Sequence, residues 1–377
     1  MKTVLFVCMG MEATDRTAWS GIPFSIYTEM VKYYKVVTCS ISNKCSFLAR
    51  INSGIHKLIG EKIMTSFTIP FAKKASRIVD NELKNGKYDL IFVIGSAAIA
   101  YLDTDIPVVY FSDAVLASMI DYYWFGISEK YQNEYNLIQM KALQNADLSI
   151  FTSEWAKKDA MKYYNIDENR IEVIHFGANV ELEDFKNKKH DDINLLFVGV
   201  DWNRKGADIA VQCVEILNEI DKKRNYYLHL AGCNPPHKIT SEYVKIYGFL
   251  NRNIPEERKK LVSLREISDL FILPTKAECA GIVFAEAAAY SLPSIAFDTG
   301  GVGDYIINDI TGYRLPMGSQ PKDFAEKILE LINDGNKLEE MKIAAKKLYE
   351  DDLNWPTSVK KMQQSFDLLI KRNEDEK

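Results

Sequence analysis

The sequence predicts an α/β protein built as two doubly wound parallel-sheet domains. Short apolar runs alternate with longer helical patterns along the chain, which is the grammar of parallel strands joined by crossover helices. The alternation restarts at Asn194 after a polar, aperiodic stretch, so the pattern is written twice. At 377 residues the chain is also too long for one ordinary core and suited to two.

In the first half the candidate strands are Thr3 to Cys8, Lys35 to Ser40, Leu90 to Ile94, Val108 to Phe111, Leu148 to Thr152 and Ile171 to His175. The first is followed by Met9-Gly10-Met11, a polar stretch, and Trp19-Ser20-Gly21-Ile22-Pro23 ahead of a helical pattern from Phe24 to Tyr33. Gly10 and Gly21 are too far apart for a dinucleotide fingerprint, which argues against a nicotinamide or flavin enzyme. His56 to Arg77 sets Lys57, Lys62, Lys73, Lys74 and Arg77 among apolar residues. It reads as a solvated helix face or as a peripheral membrane contact of segment 56–77. Tyr110-Phe-Ser-Asp113 puts an acid at a strand's carboxyl end, where it can cap a helix or face a ligand.

Glu181 to Asp192 is polar and without periodicity, the natural linker. The expected division is therefore 1–178, a linker at 179–192, a second domain at 193–355 and a last helix at 356–377 returning to the first domain. The second half opens with Asn194-Leu-Leu-Phe-Val198, and its further strand candidates are Tyr227 to Ala231, Leu270 to Leu273 and Ser294 to Phe297. Lys322 to Asn333, Leu338 to Tyr349 and Ser358 to Lys371 read as helices. In the last, Val359, Met362, Phe366, Leu369 and Ile370 recur at helical spacing, so one stripe is buried.

Loops at strand ends carry the chemistry. Gly199-Val-Asp-Trp202-Asn-Arg204-Lys205-Gly206 sets two cations beside a glycine. A planar fork and a point charge suit a diphosphate, and strand carboxyl ends are where α/β sheets bind ligands; an isolated pair would read as solvated surface. Leu230-Ala-Gly232-Cys-Asn-Pro-Pro236 is a sharp turn pointing the same way, with Cys233 a packed thiol for want of a partner base. Asp269 to Pro274 leaves the sheet at its proline; Glu278 lies in the loop, and Gly281 precedes an Ala-rich helix from Ile282 to Tyr290 that contains Glu286. A helix start facing a sheet crevice attracts anions through its unpaired N–H groups and dipole.

Composition excludes several classes. Apolar content of 47% with 26% charged residues is that of a globular protein, and a formal charge of -5 speaks against nucleic acid as a partner. The six cysteines show no metal-ligand spacing and fit a reducing, cytoplasmic setting. Val4 to Cys8 is too short for a secretory signal, and no apolar run approaches the length of a membrane span.

Glu278 and Glu286, spaced E-x7-E around Gly281 and followed by Ser291-Leu-Pro293 and Gly300-Gly301, resemble the motif of retaining glycosyltransferases of family 4. Phe197 to Gly206, Gly232 to Pro236, Tyr247-Gly248-Phe249 and Phe176-Gly177-Ala-Asn179 are similar to further motifs of that family, in the same order. The resemblance implies a GT-B fold with two Rossmann-like domains facing across a cleft. It implies transfer of a hexose-type sugar from a nucleotide diphosphate sugar to a hydroxyl of a glycan, glycolipid or protein acceptor. By motif position Glu278 would bind the sugar hydroxyls and Glu286 the ribose. The amides of Ala280, Gly281, Ile282 and Val283 would hold the distal phosphate, and Arg204 and Lys205 the leaving diphosphate. Gly199 and Gly232 would line the donor, Gly248 and Phe249 would meet the base, and Gly21 would approach the phosphate from the first domain. Val200 stands where many members have arginine, and Asp113 is the best-aligned position for a histidine near the acceptor. No Asp-x-Asp pair lies beside the phosphate loop, so front-face transfer without a metal or other cofactor is expected. A nucleotide-sugar epimerase or hydrolase of the same fold, or a non-catalytic binding subunit, are the competing readings.

Overall fold

Strands that read as unbroken apolar runs need both faces of their sheet covered. The structure, a computed structural model, describes residues 1–43, 62–180, 182 and 192–376. Its first sheet is formed by β1 (Thr3–Met9), β2 (Lys35–Ile41), β3 (Leu90–Ile94), β4 (Val108–Ser112), β5 (Leu148–Phe151) and β6 (Ile171–Val173). They pair in parallel in the order β2-β1-β3-β4-β5-β6. Every residue of β3 is buried, and so is all of β1 beyond Thr3.

Helices α1 (Ile22–Met30), α2 (Ile69–Asn85), α3 (Glu129–Asn145) and α4 (Glu154–Tyr164) cover this sheet. Phe71, Ala72, Ala75 and Val79 of α2 join the core, whereas Lys73, Lys74 and Arg77 are exposed. The apolar stripe of that helix is thus committed to the protein interior and lends no support to a membrane contact; residues 56–61 of that segment lie outside the described residues.

The second sheet contains β7 (Ile193–Val198), β8 (Tyr226–Ala231), β9 (Val244–Gly248), β10 (Leu270–Leu273), β11 (Ser294–Phe297) and β12 (Gly312–Leu315), ordered β12-β11-β10-β7-β8-β9 and again parallel. With it go α5 (Ala207–Ile220), α6 (Pro255–Glu266), α7 (Ile282–Ala289), α8 (Pro321–Asn333) and α9 (Gly335–Asp351). Strands β9 and β12 were not among the sequence candidates, and they are the two edges of the sheet. An edge strand is covered less, and β9 shows it by exposing Lys245 and Ile246.

The last helix, α10 (Trp355–Asp375), belongs to the first unit, which comprises Met1–His175 with Trp355–Lys377; the second is Phe176–Asn354. Its buried stripe is Trp355, Val359, Met362, Phe366 and Ile370. Phe366 packs 5.5 Å from the ring of Phe92 and 6.1 Å from that of Tyr34, whose hydroxyl donates to Asp367 at 2.7 Å. Of the expected linker, 181 and 183–191 lie outside the described residues.

Candidate functional site

In an open parallel sheet the crevice for a ligand lies beyond the strand carboxyl ends where the order of strands reverses. In the second sheet that point falls between the neighbours β7 and β10. Gly199 to Gly206 leaves β7 and Pro274 to Gly281 leaves β10, so the two loops the sequence singled out meet there.

The meeting is bonded throughout. Asp201 accepts from the Arg204 N–H at 2.9 Å and so starts the short turn Trp202–Lys205. The Arg204 guanidinium donates to the Ala277 carbonyl at 3.0 Å, and the Lys276 N–H donates to the Arg204 carbonyl at 2.8 Å. Lys205 forms an ion pair with Glu278, and both side chains are largely buried, at 9% and 12% exposure. The Gly301 N–H returns from beyond β11 to the Glu278 carbonyl at 3.1 Å. Arg204, Lys205 and Glu278 therefore stand together on a pinned pair of loops.

Three strand ends form the adjoining shelf. The Gly199 N–H donates to Ala231 at 3.0 Å and the Gly232 N–H to Gly248 at 2.7 Å, so the ends of β7, β8 and β9 lie side by side. Phe249, just past Gly248, is 65% exposed. Cys233 is buried, and burial pushes its thiol up to about 11, away from the thiolate form. Gly281 begins α7 in a left-handed conformation, φ 101°, and offers no side-chain acceptor to the N–H groups that follow. Ala280 and Ile282 are buried around it, and Val283 is partly so.

Glu286, one turn into α7, has both carboxylate oxygens engaged. Arg252 grips them with two bonds of 2.7 and 2.8 Å, and Arg265 donates to Oε2 as well. Sequence reading missed both arginines. Each is a single cation in a polar or helical stretch, and only the tertiary pairing gives it meaning. Beneath the shelf, His229 lies 2.9 Å from the Tyr247 hydroxyl and 2.9 Å from Asn194 Oδ1. Burial, with Lys245 and Lys260 nearby, lowers its pKa to about 4.

In the first unit Gly21 caps α1 at φ 84°, after Trp19 at 42° and Ser20 at 60°. Two non-glycine residues in left-handed backbone store strain in a loop at a strand's carboxyl end. Asp113 stands half-buried just past β4, and Val115, not Asp113, caps the short helix that follows. Among the described residues no helix is long and apolar enough to cross a membrane.

Comparison with known proteins bears on the family and the fold. Residues 179–348 match the family model for glycosyl transferases group 1, and residues 35–182 match that for Glycosyltransferase Family 4. D-inositol 3-phosphate glycosyltransferase of Corynebacterium diphtheriae is 23% identical over 252 residues, which cover 61% of this chain and 58% of that protein. The chain thus spans little more than half the length of the curated relatives it matches. Sucrose-phosphate synthase of Thermosynechococcus elongatus superposes with a TM-score of 0.72 at 16% identity, over 99% of this chain and 100% of that one. Anabaena Alr3699/HepE in complex with UDP and glucose gives 0.63 at 15%, over 97% and 100%. The fold shared with these structures is GT-B.

Proposed function

This chain belongs with the GT-B glycosyltransferases, and from that premise we propose that it is a retaining enzyme that moves a hexose-type sugar from a nucleotide diphosphate sugar to a hydroxyl of a glycan, glycolipid or glycoprotein. The observation that carries the reading is the Lys205–Glu278 pair at the switch point of the second sheet, beside the glycine-led start of α7. There the two side chains satisfy each other, and a donor would separate them. Lys205 would turn to the diphosphate and Glu278 to the hydroxyls of the transferred sugar. UDP and glucose bound to the Anabaena relative support a nucleoside diphosphate donor of this kind.

As the bond from the sugar's anomeric carbon to the phosphate oxygen breaks, negative charge grows on that oxygen. Lys205, Arg204 and the N–H groups at the start of α7 meet it, and each tenfold in rate needs about 1.4 kcal/mol. The acceptor hydroxyl attacks the same face of the sugar and gives its proton to the departing phosphate oxygen. Two protein cations serve the leaving group, so we read the transfer as metal-independent. Glu286 would take the ribose hydroxyls, Phe249 and Gly248 the base, and Asp113 would orient the acceptor hydroxyl.

The test is a panel of nucleotide sugars with candidate acceptors, followed by analysis of the anomeric configuration of the product. Lys205→Ala and Glu278→Gln should each lower kcat/KM by about 10²- to 10³-fold, the scale of losing one preorganised charge partner. Wild-type rates in both variants, an inverted product, or free sugar formed at the same rate without acceptor would each sink the reading.

A further inference from the structure

The least expected cluster on the second unit is the pair of arginines on Glu286. A carboxylate offers about four acceptor sites. Arg252 takes one on each oxygen, and Arg265 takes a further one on Oε2. Two hydroxyls of a ribose need two sites, so they cannot reach Glu286 unless at least one Arg252 bond opens.

The two arginines are not equivalent. Arg265 is only 5% exposed, reaches Glu286 from α6 and lies with its guanidinium 5.6 Å from the Tyr290 ring centroid. Arg252 is 30% exposed and sits in the loop that follows β9, four residues beyond Gly248. Two guanidiniums and one carboxylate leave a net positive charge, so one arginine suffices to neutralise Glu286. The buried one can stay, and the partly exposed one can leave into water without stranding a charge.

We propose that Arg265 is the positioning residue that holds Glu286 aimed and paired, and that Arg252 is a latch on the same carboxylate, displaced when a nucleoside diphosphate brings its ribose diol. The inference rests on the reading of Glu286 as the ribose ligand. It adds which partner stays and which leaves. The latch opens only because Arg265 remains: without it, releasing Arg252 would leave a buried, uncompensated carboxylate, which is strongly unfavourable.

The readout is the ratio of dissociation constants for 2′,3′-dideoxy and ribo forms of the same nucleoside diphosphate. It is measured by titration calorimetry on the full chain with UDP, GDP and ADP and their dideoxy counterparts. A contact to phosphate or base cancels in that ratio, as does a general loosening of the fold. In Arg252→Ala the ratio should rise by about threefold or more, since the diol no longer competes with a guanidinium. In Arg265→Met it should fall towards one, because Glu286 then holds Arg252 as its sole counter-ion. Arg265→Lys, which restores the charge, should recover part of the loss, and Arg252→Gln repeats the first arm with a side chain of similar reach. If the wild-type ratio is already one, the ribose reading of Glu286 fails and the latch fails with it. If the wild type discriminates but the two variants do not move the ratio in opposite directions, the latch alone is overturned.

Discussion

His229 shows what a single buried side chain does to the pH response of the second unit. Asn194 Oδ1 can only accept, so Nε2 carries the ring proton and Nδ1 accepts from the Tyr247 hydroxyl. A second proton would break the bond from Tyr247 and charge a site that is 3% exposed. The folded value near 4 lies below the ordinary 6.5, so between those limits the unfolded chain binds the extra proton and the folded one does not. Stability is therefore fully present above pH 6.5 and lost as pH falls towards 4, by roughly 3 kcal/mol. Urea unfolding across that range should show the slope in the wild type and lack it in His229→Gln; equal slopes would refute the assignment. Legibility also differed residue by residue. Lys205, Glu278 and Gly281 could be read because their spacing along two loops is itself the signal. Arg252 and Arg265 could not, since Glu286 lies 34 and 21 positions away from them and the contact exists only after folding.

At the scale of elements, Gly206 decides whether the turn Trp202–Lys205 can pass into α5. Its φ is 74°, and a Cβ there would lie 2.1 Å from the Pro274 carbonyl oxygen, at the exit of β10. Gly206→Ala combines a left-handed alanine with a backbone collision, so a loss of at least about 2 kcal/mol is expected. Because the displaced loop carries Arg204 and Lys205, binding of the proposed donor should fall with it, and a variant of unchanged melting temperature would contradict the contact. Central strands were legible from their unbroken apolar runs, as in Leu90 to Ile94. The edges β9 and β12 were not: Val244-Lys-Ile-Tyr-Gly248 mixes polar and apolar residues, and Gly312-Tyr-Arg-Leu315 opens on a glycine and carries an arginine. The helix α10 starts at Trp355, ahead of the expected Ser358, because Pro356 sits inside its first turn, where a missing N–H costs nothing.

For the whole molecule the governing feature is that the first unit is assembled from two distant stretches of chain. Phe366 joins them through its contacts with Phe92 and Tyr34, and a second tie runs from Ser365 to Glu172 at 2.6 Å. Phe366→Ala should cost about 3–5 kcal/mol and should raise amide exchange in β1 and β3 while leaving β7, β8 and β10 protected. Uniform loss of protection in both units would refute this division. The same connectivity sets a timetable for biosynthesis. A ribosome releases Phe176–Asn354 as an uninterrupted stretch, whereas the sheet begun at Thr3 must wait for residues 355–375 before Phe92 gains its cover. Of the two units, the one begun earlier is thus completed later, and until then its core at Phe92 stays uncovered.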